Sequence, residues 1–221
     1  MRLDQELVHR KLCESRQEAQ ECIESGYVLV DGVPITRRTR LVTSKSHIVV
    51  TKKRRFVSRG GEKLEGAILH VFPGASPALF STKIALDIGS STGGFTDCLL
   101  RYGAAHVYAV DVGTSQLHSS LRTNPNITIA ENTDIRNFTS SDLLDIIVAD
   151  VSFISLDKIL DTILSFGHTG TLFFLLIKPQ FEVGFGNTKK GIVKDMTLVE
   201  NVLNNYKAKL SKLSYEDIDV F

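Results

Sequence analysis

A chain of 221 residues, 43% hydrophobic and 23% charged with a formal net charge of +1, has ordinary globular values and enough length for one sizeable core plus a small module. No apolar run reaches the roughly 18 residues of a bilayer span, and the opening MRLDQELVHRKL has no apolar centre of a signal peptide, so a cytoplasmic protein without stable membrane association is expected. Cys13, Cys22 and Cys98 are odd in number, share no metal-like spacing and lie on helical segments, which points to core thiols rather than a disulfide framework and leaves no metal site to expect.

The near-neutral total hides a division. Through Gly60 there are thirteen Lys or Arg against seven acids, and in the remainder thirteen against eighteen. A basic head on an acidic body points to nucleic acid or an anionic surface as the head's partner, with an incidental cluster of solvated charges as the alternative. Leu3, Leu7, Val8 and Leu12 recur at helical spacing. SRQEAQECIESG then predicts a second helix, with Ser15 as N-cap, Glu18 completing a capping box and Gly26 as the stop. YVLVDGVPI alternates about an Asp31-Gly32 hairpin turn, and HIVVTK predicts one further strand. TKKRRFVSRGGEKL has neither a helix nor a strand period and reads as a linker whose Lys52, Lys53, Arg54 and Arg55 are suited to a phosphate backbone.

Beyond the linker, strand and helix alternate. Short apolar runs at 83–88, 107–111, 127–130, 145–150 and 172–177 predict strands, and 96–101 and 156–166 predict helices between them. Runs this continuously apolar suit a parallel sheet covered on both faces, and ligands of such a doubly wound α/β sheet sit at the carboxyl ends of its strands. Asp87, Asp111, Asp150 and Lys178 all fall at such ends. The stretch LDIGSSTGGFTDCLL, between a strand and a helix, has glycines that let backbone approach a ligand and a helix start that offers N–H groups to an anion. Its Asp-x-Gly-x-x-x-Gly-Gly spacing fits neither a dinucleotide fingerprint nor a Walker A loop. Asp111, a second acid about twenty residues on, can accept ribose hydroxyls, the alternative being a strand-end residue that caps the next turn. EVGFGNTKKGIVKD, glycine-rich and basic after the fifth strand, reads as a substrate loop or simply a long connection.

The head, with RLDQEL followed by SRQEAQECIESGYVLVDG, resembles the S4 RNA-binding domain over residues 1–51. That resemblance makes Arg10, Lys11, Arg16, Arg37, Arg38 and Arg40 candidates for phosphate contact. LDIGSSTGGFTDCLL, VYAVDVG, ENTDIRN, DIIVADVSFISL and LLIKPQFEVG, in this order, resemble the FtsJ-type methyltransferases that use S-adenosylmethionine. With the S4-like head and SRGGEKL at the junction, the chain resembles the TlyA family of ribosomal RNA methyltransferases, also known as haemolysins. The resemblance implies a Rossmann-like methyltransferase domain over 60–221 behind a basic linker at 52–59. It implies S-adenosylmethionine held by Asp87, Gly89, Ser91, Gly93, Gly94 and Phe95, with Asp111 on the ribose, Asp134 on the adenine and Ile135 lining its pocket. The partner implied is ribosomal RNA or a ribosomal subunit, and the reaction methylation of a cytidine 2′-hydroxyl.

An alcohol needs to lose its proton before it attacks a sulfonium methyl, and a lysine accepts that proton only where burial or a neighbouring cation weakens its own hold. FtsJ-like enzymes use a Lys-Asp-Lys-Glu tetrad, and three members match here: Lys63 in GGEKL, Asp150 in ADVSF and Lys178 in IKPQF. The resemblance makes Lys178 the base, Asp150 its orienting group and Lys63 the second cation. The fourth member, a Glu in a GNxE segment after a sixth strand, has no match; the sequence stops at YEDIDVF, and neither Glu182 nor Glu216 sits in the right motif. Three functions follow: an active rRNA 2′-O-methyltransferase, an RNA-binding protein with an inactive methyltransferase body, and a haemolysin, for which the sequence offers neither an export signal nor a lytic segment.

Overall fold

The computed structural model describes residues 1–51, 55–184 and 186–221. The chain divides into two compact units, Met1–Ser58 and Arg59–Phe221. Lys52, Lys53 and Arg54 lie outside the described residues.

In the first unit, α1 (Leu3–His9) and α2 (Arg16–Glu24) precede a three-stranded antiparallel sheet, β1 (Val28–Val30), β2 (Val33–Pro34) and β3 (Ile48–Val50), in the order β2-β1-β3. The local chemistry explains each boundary. Ser15 Oγ accepts from Glu18 N at 3.1 Å, while the Glu18 carboxylate accepts from Glu14 N at 2.6 Å, so the capping box closes one residue earlier than expected. Gly26 ends α2 at φ +74°, and Asp31 and Gly32 at +51° and +82° form a two-residue hairpin turn with a twist that matches its strands. Leu3, Leu7, Ala19, Ile23 and Val28 are fully buried. Leu12, expected on the apolar face, is 39% exposed because α1 stops at His9.

The second unit opens with α3 (Arg59–Val71), where the sequence read as linker until after Lys63. Gly60 and Gly61 mask its period, yet Leu64 and Ile68, one turn apart, are both buried. Alternation follows as expected: β4 (Ile84–Ile88), α4 (Gly94–Arg101), β5 (His106–Val110), α5 (Ser119–Arg122), β6 (Ile127–Ala130), a 3-10 turn at Ile135–Asn137, β7 (Ile146–Ala149), α6 (Asp157–Ser165), β8 (Leu172–Leu175), α7 (Pro179–Glu182) and α8 (Met196–Lys212). The five strands are parallel in the order β6-β5-β4-β7-β8. Because the chain leaves β4 for β5 on one side and returns to β7 on the other, a crevice opens at the carboxyl ends of β4 and β7. Residues 215–221 form no strand; Tyr215 packs edge-on against Phe173, and Phe221 stacks on His70.

Candidate cofactor and catalytic site

Three groups of residues build the carboxyl-end face. The loop after β4 bends through Gly89 (φ +79°), Ser91 (+47°) and Gly93 (+90°) into α4, whose first two residues, Gly94 and Phe95, are buried. A Cβ on Gly89 would lie 3.0 Å from the Asp150 carbonyl oxygen, and one on Gly93 would lie 2.5 Å from Leu121. Glycine is therefore needed at both, for φ and for space.

Asp87 is fully buried beneath this loop. Its Oδ2 accepts from Thr96 Oγ1 at 2.6 Å, and the Thr96 amide adds a further bond, so Asp87 caps α4 where the N-cap Gly93 has no side chain to do so. Its other oxygen, Oδ1, has no partner among the described residues. Burial, reinforced by the charges of Asp150 and Asp111 and only partly offset by Thr96, pushes its pKa up to about 7.

Asp111, just past β5, is held by two backbone amides, Ser91 N at 2.8 Å and Gly113 N at 2.6 Å, one to each carboxylate oxygen. Each oxygen keeps a lone pair for a further donor. The loops after β5 and β6 are zipped together through Thr133 N to Asp111 O and Asn132 N to Gly113 O, both 2.9 Å. That pairing fixes Asp134, whose carboxylate takes Arg136 N at 2.9 Å and both Nε and Nη2 of the Arg136 guanidinium; the guanidinium, first, holds its pKa down near 2. Ile135 beside it is buried. An adenine contact at Asp134 would thus share the carboxylate with Arg136.

The third group gathers on Asp150, at the end of β7. Lys178 Nζ lies 2.5 Å from Oδ1, and Lys63 Nζ lies 3.7 Å from Oδ2. Lys178 also donates to Ser152 Oγ at 2.6 Å. Its contact with Oδ1 is an ion pair rather than an aligned hydrogen bond. Lys178 and Asp150 expose under a fifth of their side chains, Lys63 about half. Extended backbone at Lys178 is what Pro179 demands, and Pro179 in turn starts α7. Phe153 stands at φ +67° with its ring 93% exposed, 5.7 Å from the Phe181 ring. A bulky residue held left-handed and facing water is a poor choice for stability alone.

Glu182 serves the scaffold. Its carboxylate accepts from Ser155 Oγ at 2.6 Å, Leu156 N at 2.9 Å and Tyr206 OH at 2.9 Å, joining α7, the start of α6 and α8. Ser152 and Phe153 are marked in the sequence only by adjoining Asp150 in DVSF, whereas Thr96 and Gly113 carry no local mark.

In the first unit the basic candidates separate into two sets. Arg10 is locked inward, Nε to Glu6 at 2.8 Å and the other nitrogens to the carbonyls of Thr43, Ser44 and Ser46. Arg16 Nε, Arg2 Nε and Gln20 converge at 2.9, 3.0 and 2.9 Å on the buried Asp4; burial raises that carboxyl, but bonds from Gln20, Arg16 and Arg2 hold it well below the usual range. Lys11, Arg37, Arg38 and Arg40 are exposed, with Arg38 3.6 Å from Glu24, and Arg55 lies 5.4 Å from the Phe56 ring centre.

Comparison with known proteins agrees with this architecture. The profile of FtsJ-like methyltransferases matches residues 56–221, and that of the S4 domain residues 1–48. Hemolysin A of Brachyspira hyodysenteriae is 39% identical over 224 residues, covering 99% of this chain and 91% of that protein. The 16S/23S rRNA (cytidine-2'-O)-methyltransferase TlyA of Mycobacterium tuberculosis is 38% identical over 225 residues, covering 99% and 82%. Among solved structures, a protein named as a hemolysin from Streptococcus thermophilus superposes with a TM-score of 0.69 at 35% identity, covering 94% of this chain and 76% of that one.

Proposed function

This chain belongs to the TlyA family, an S4 domain followed by an FtsJ-like methyltransferase, and from that premise we propose that it methylates a cytidine ribose 2′-hydroxyl of ribosomal RNA with S-adenosylmethionine. The observation that carries the reading is the convergence of Lys63 and Lys178 on the single carboxylate of Asp150, beside a glycine loop that a Cβ would fill.

The residues present fit the cofactor. Gly89, Ser91 and Gly93 offer backbone without side-chain bulk, Asp111 keeps acceptor capacity for two hydroxyls, and the orphaned buried oxygen of Asp87 faces a need for a donor or a positive charge. When bound, S-adenosylmethionine supplies an electrophilic methyl on a sulfonium. In its neutral form Lys178 Nζ takes the proton from the 2′-hydroxyl and becomes an ammonium paired with Asp150; Asp150 and Ser152 fix where that nitrogen points, and Lys63 sets a second positive charge beside the developing oxyanion. Phe153 offers an exposed aromatic face to an unstacked base next to the reacting ribose. Among the described residues of the S4 unit, Lys11, Arg37, Arg38 and Arg40 are exposed side chains suited to phosphates, Arg16 combines an exposed side chain with its bond to Asp4, and Arg10 shapes the fold that presents them.

The test is transfer of radiolabelled methyl from the cofactor to purified ribosomal subunits. Label appears in ribose 2′-O-methylcytidine with the unaltered chain and is lost in Lys178→Ala and Asp150→Ala, both of which retain cofactor binding by calorimetry. Full transfer by Lys178→Ala would overturn the assignment of the base. Cofactor binding with no transfer by the unaltered chain would select the inactive, RNA-binding reading.

A further inference from the structure

The first unit brings together three side chains that the sequence spacing conceals. Glu18 and Cys22 are four apart on α2 and therefore share a helix face, and the turn after α1 returns Cys13 to that face. One carboxylate oxygen and the two sulfurs all lie within 4.8 Å of one another. Ligands about 2.0–2.3 Å from a tetrahedral centre stand roughly 3.5–3.8 Å apart, so a side-chain adjustment of about 1 Å would close the set.

We propose that Cys13, Cys22 and Glu18 form a binding site for a thiophilic divalent cation of the zinc class, with a solvent molecule in the fourth position. Two thiolates and a carboxylate are the donor types that Zn²⁺ accepts, and they disfavour Mg²⁺ or Ca²⁺. Cys13 and Cys22 are 5% and 3% exposed, within the apolar core of the unit, and Glu18 at its margin is half-buried. Binding releases two thiol protons and forms two S–Zn bonds and one O–Zn bond. The consequence is mechanical. A unit of fewer than 60 residues has a small core, and the cation would tie the α1–α2 turn to the body of α2, the helix bearing Arg16. The proposal is independent of the methyltransferase reading.

The full chain, reduced and metal-free, is titrated with Co²⁺ and then Zn²⁺. One equivalent of Co²⁺ should produce a thiolate-to-metal charge-transfer band that Zn²⁺ displaces. Cys13→Ser and Cys22→Ser should each abolish it, and Cys98→Ala should keep it. Glu18→Gln, a half-exposed change that leaves the core intact, should raise the dissociation constant at least about tenfold, the size of effect common for altered metal-site groups. Absence of the band in the unaltered chain, its survival in Cys22→Ser, or unchanged affinity in Glu18→Gln would overturn the proposal. So would conversion of Cys13 and Cys22 to a disulfide with no metal retained.

Discussion

Lys178 is held by two neighbours of different kinds, the Asp150 carboxylate and the Ser152 hydroxyl, and both come from the loop after β7. Removing the hydroxyl leaves the contact with Asp150 but frees the direction of Nζ. Ser152→Ala is expected to lower kcat about tenfold or more with little change in cofactor affinity, read from steady-state methyl transfer and calorimetry. Phe153→Ala should instead raise the KM for RNA and leave the stability of the folded chain nearly unchanged, since the side chain is already in water and alanine keeps the same left-handed backbone. Asp87 gives a pH prediction. Its folded pKa of about 7 lies above the 3.8 of an ordinary aspartate, so between about pH 4 and pH 7 the folded chain keeps a proton that the unfolded chain releases. Stability from this group is therefore complete below pH 4 and falls as pH rises through 7. Asp87→Asn should remove that decline, seen as a smaller loss of melting temperature from pH 5 to pH 8 than in the unaltered chain; equal losses would refute the protonated state.

Among the elements, α7 is too short to be stable alone, and its position depends on Glu182 and Pro179. The three bonds that Glu182 accepts link α7 to α6 and α8, so Lys178, at the head of α7, inherits its place from a contact at the far end of the same turn. Glu182→Ala leaves the Tyr206 hydroxyl and the Leu156 amide without their acceptor and should cost about 1–3 kcal/mol of stability by urea unfolding. Gly89 sets the other joint. An alanine there must sit at φ +79° with its methyl 3.0 Å from the Asp150 carbonyl. Gly89→Ala should lose about 1–3 kcal/mol and weaken cofactor binding, whereas alanine at Gly184, left-handed but with open space, should leave cofactor affinity intact.

For the whole molecule, charge is divided unevenly between head and body. Thirteen basic residues precede or include Arg59 against seven acids, so the head carries most of the attraction for polyanions. No helix among the described residues is long and apolar enough to cross a membrane. Arg37→Glu with Arg38→Glu, both exposed, should weaken subunit binding and reduce the steepness of its salt dependence while leaving the melting temperature nearly unchanged. Arg10→Glu should act differently: it breaks four internal bonds and should lower the melting of the first unit. If Arg10→Glu left stability untouched, the division between scaffold and RNA-facing arginines would be wrong.

Local chemistry by itself determined the helix caps at Ser15 and Gly26, the hairpin at Asp31-Gly32, the five strands of the parallel sheet and the positions of Asp87, Asp111 and Asp150 at strand ends. Each of these is set by a few consecutive residues, through propensity, φ requirements or apolar runs. Tertiary structure alone decided that Lys63 rides on a helix and meets Asp150, that Glu182 is a joint, that Arg10 turns inward and Arg16 pairs with the buried Asp4, and that Cys13 reaches Cys22. Those are distances between segments far apart in the chain or across a turn. The order of strands in the sheet and the closing of loops fix them, and no spacing along the sequence encodes either.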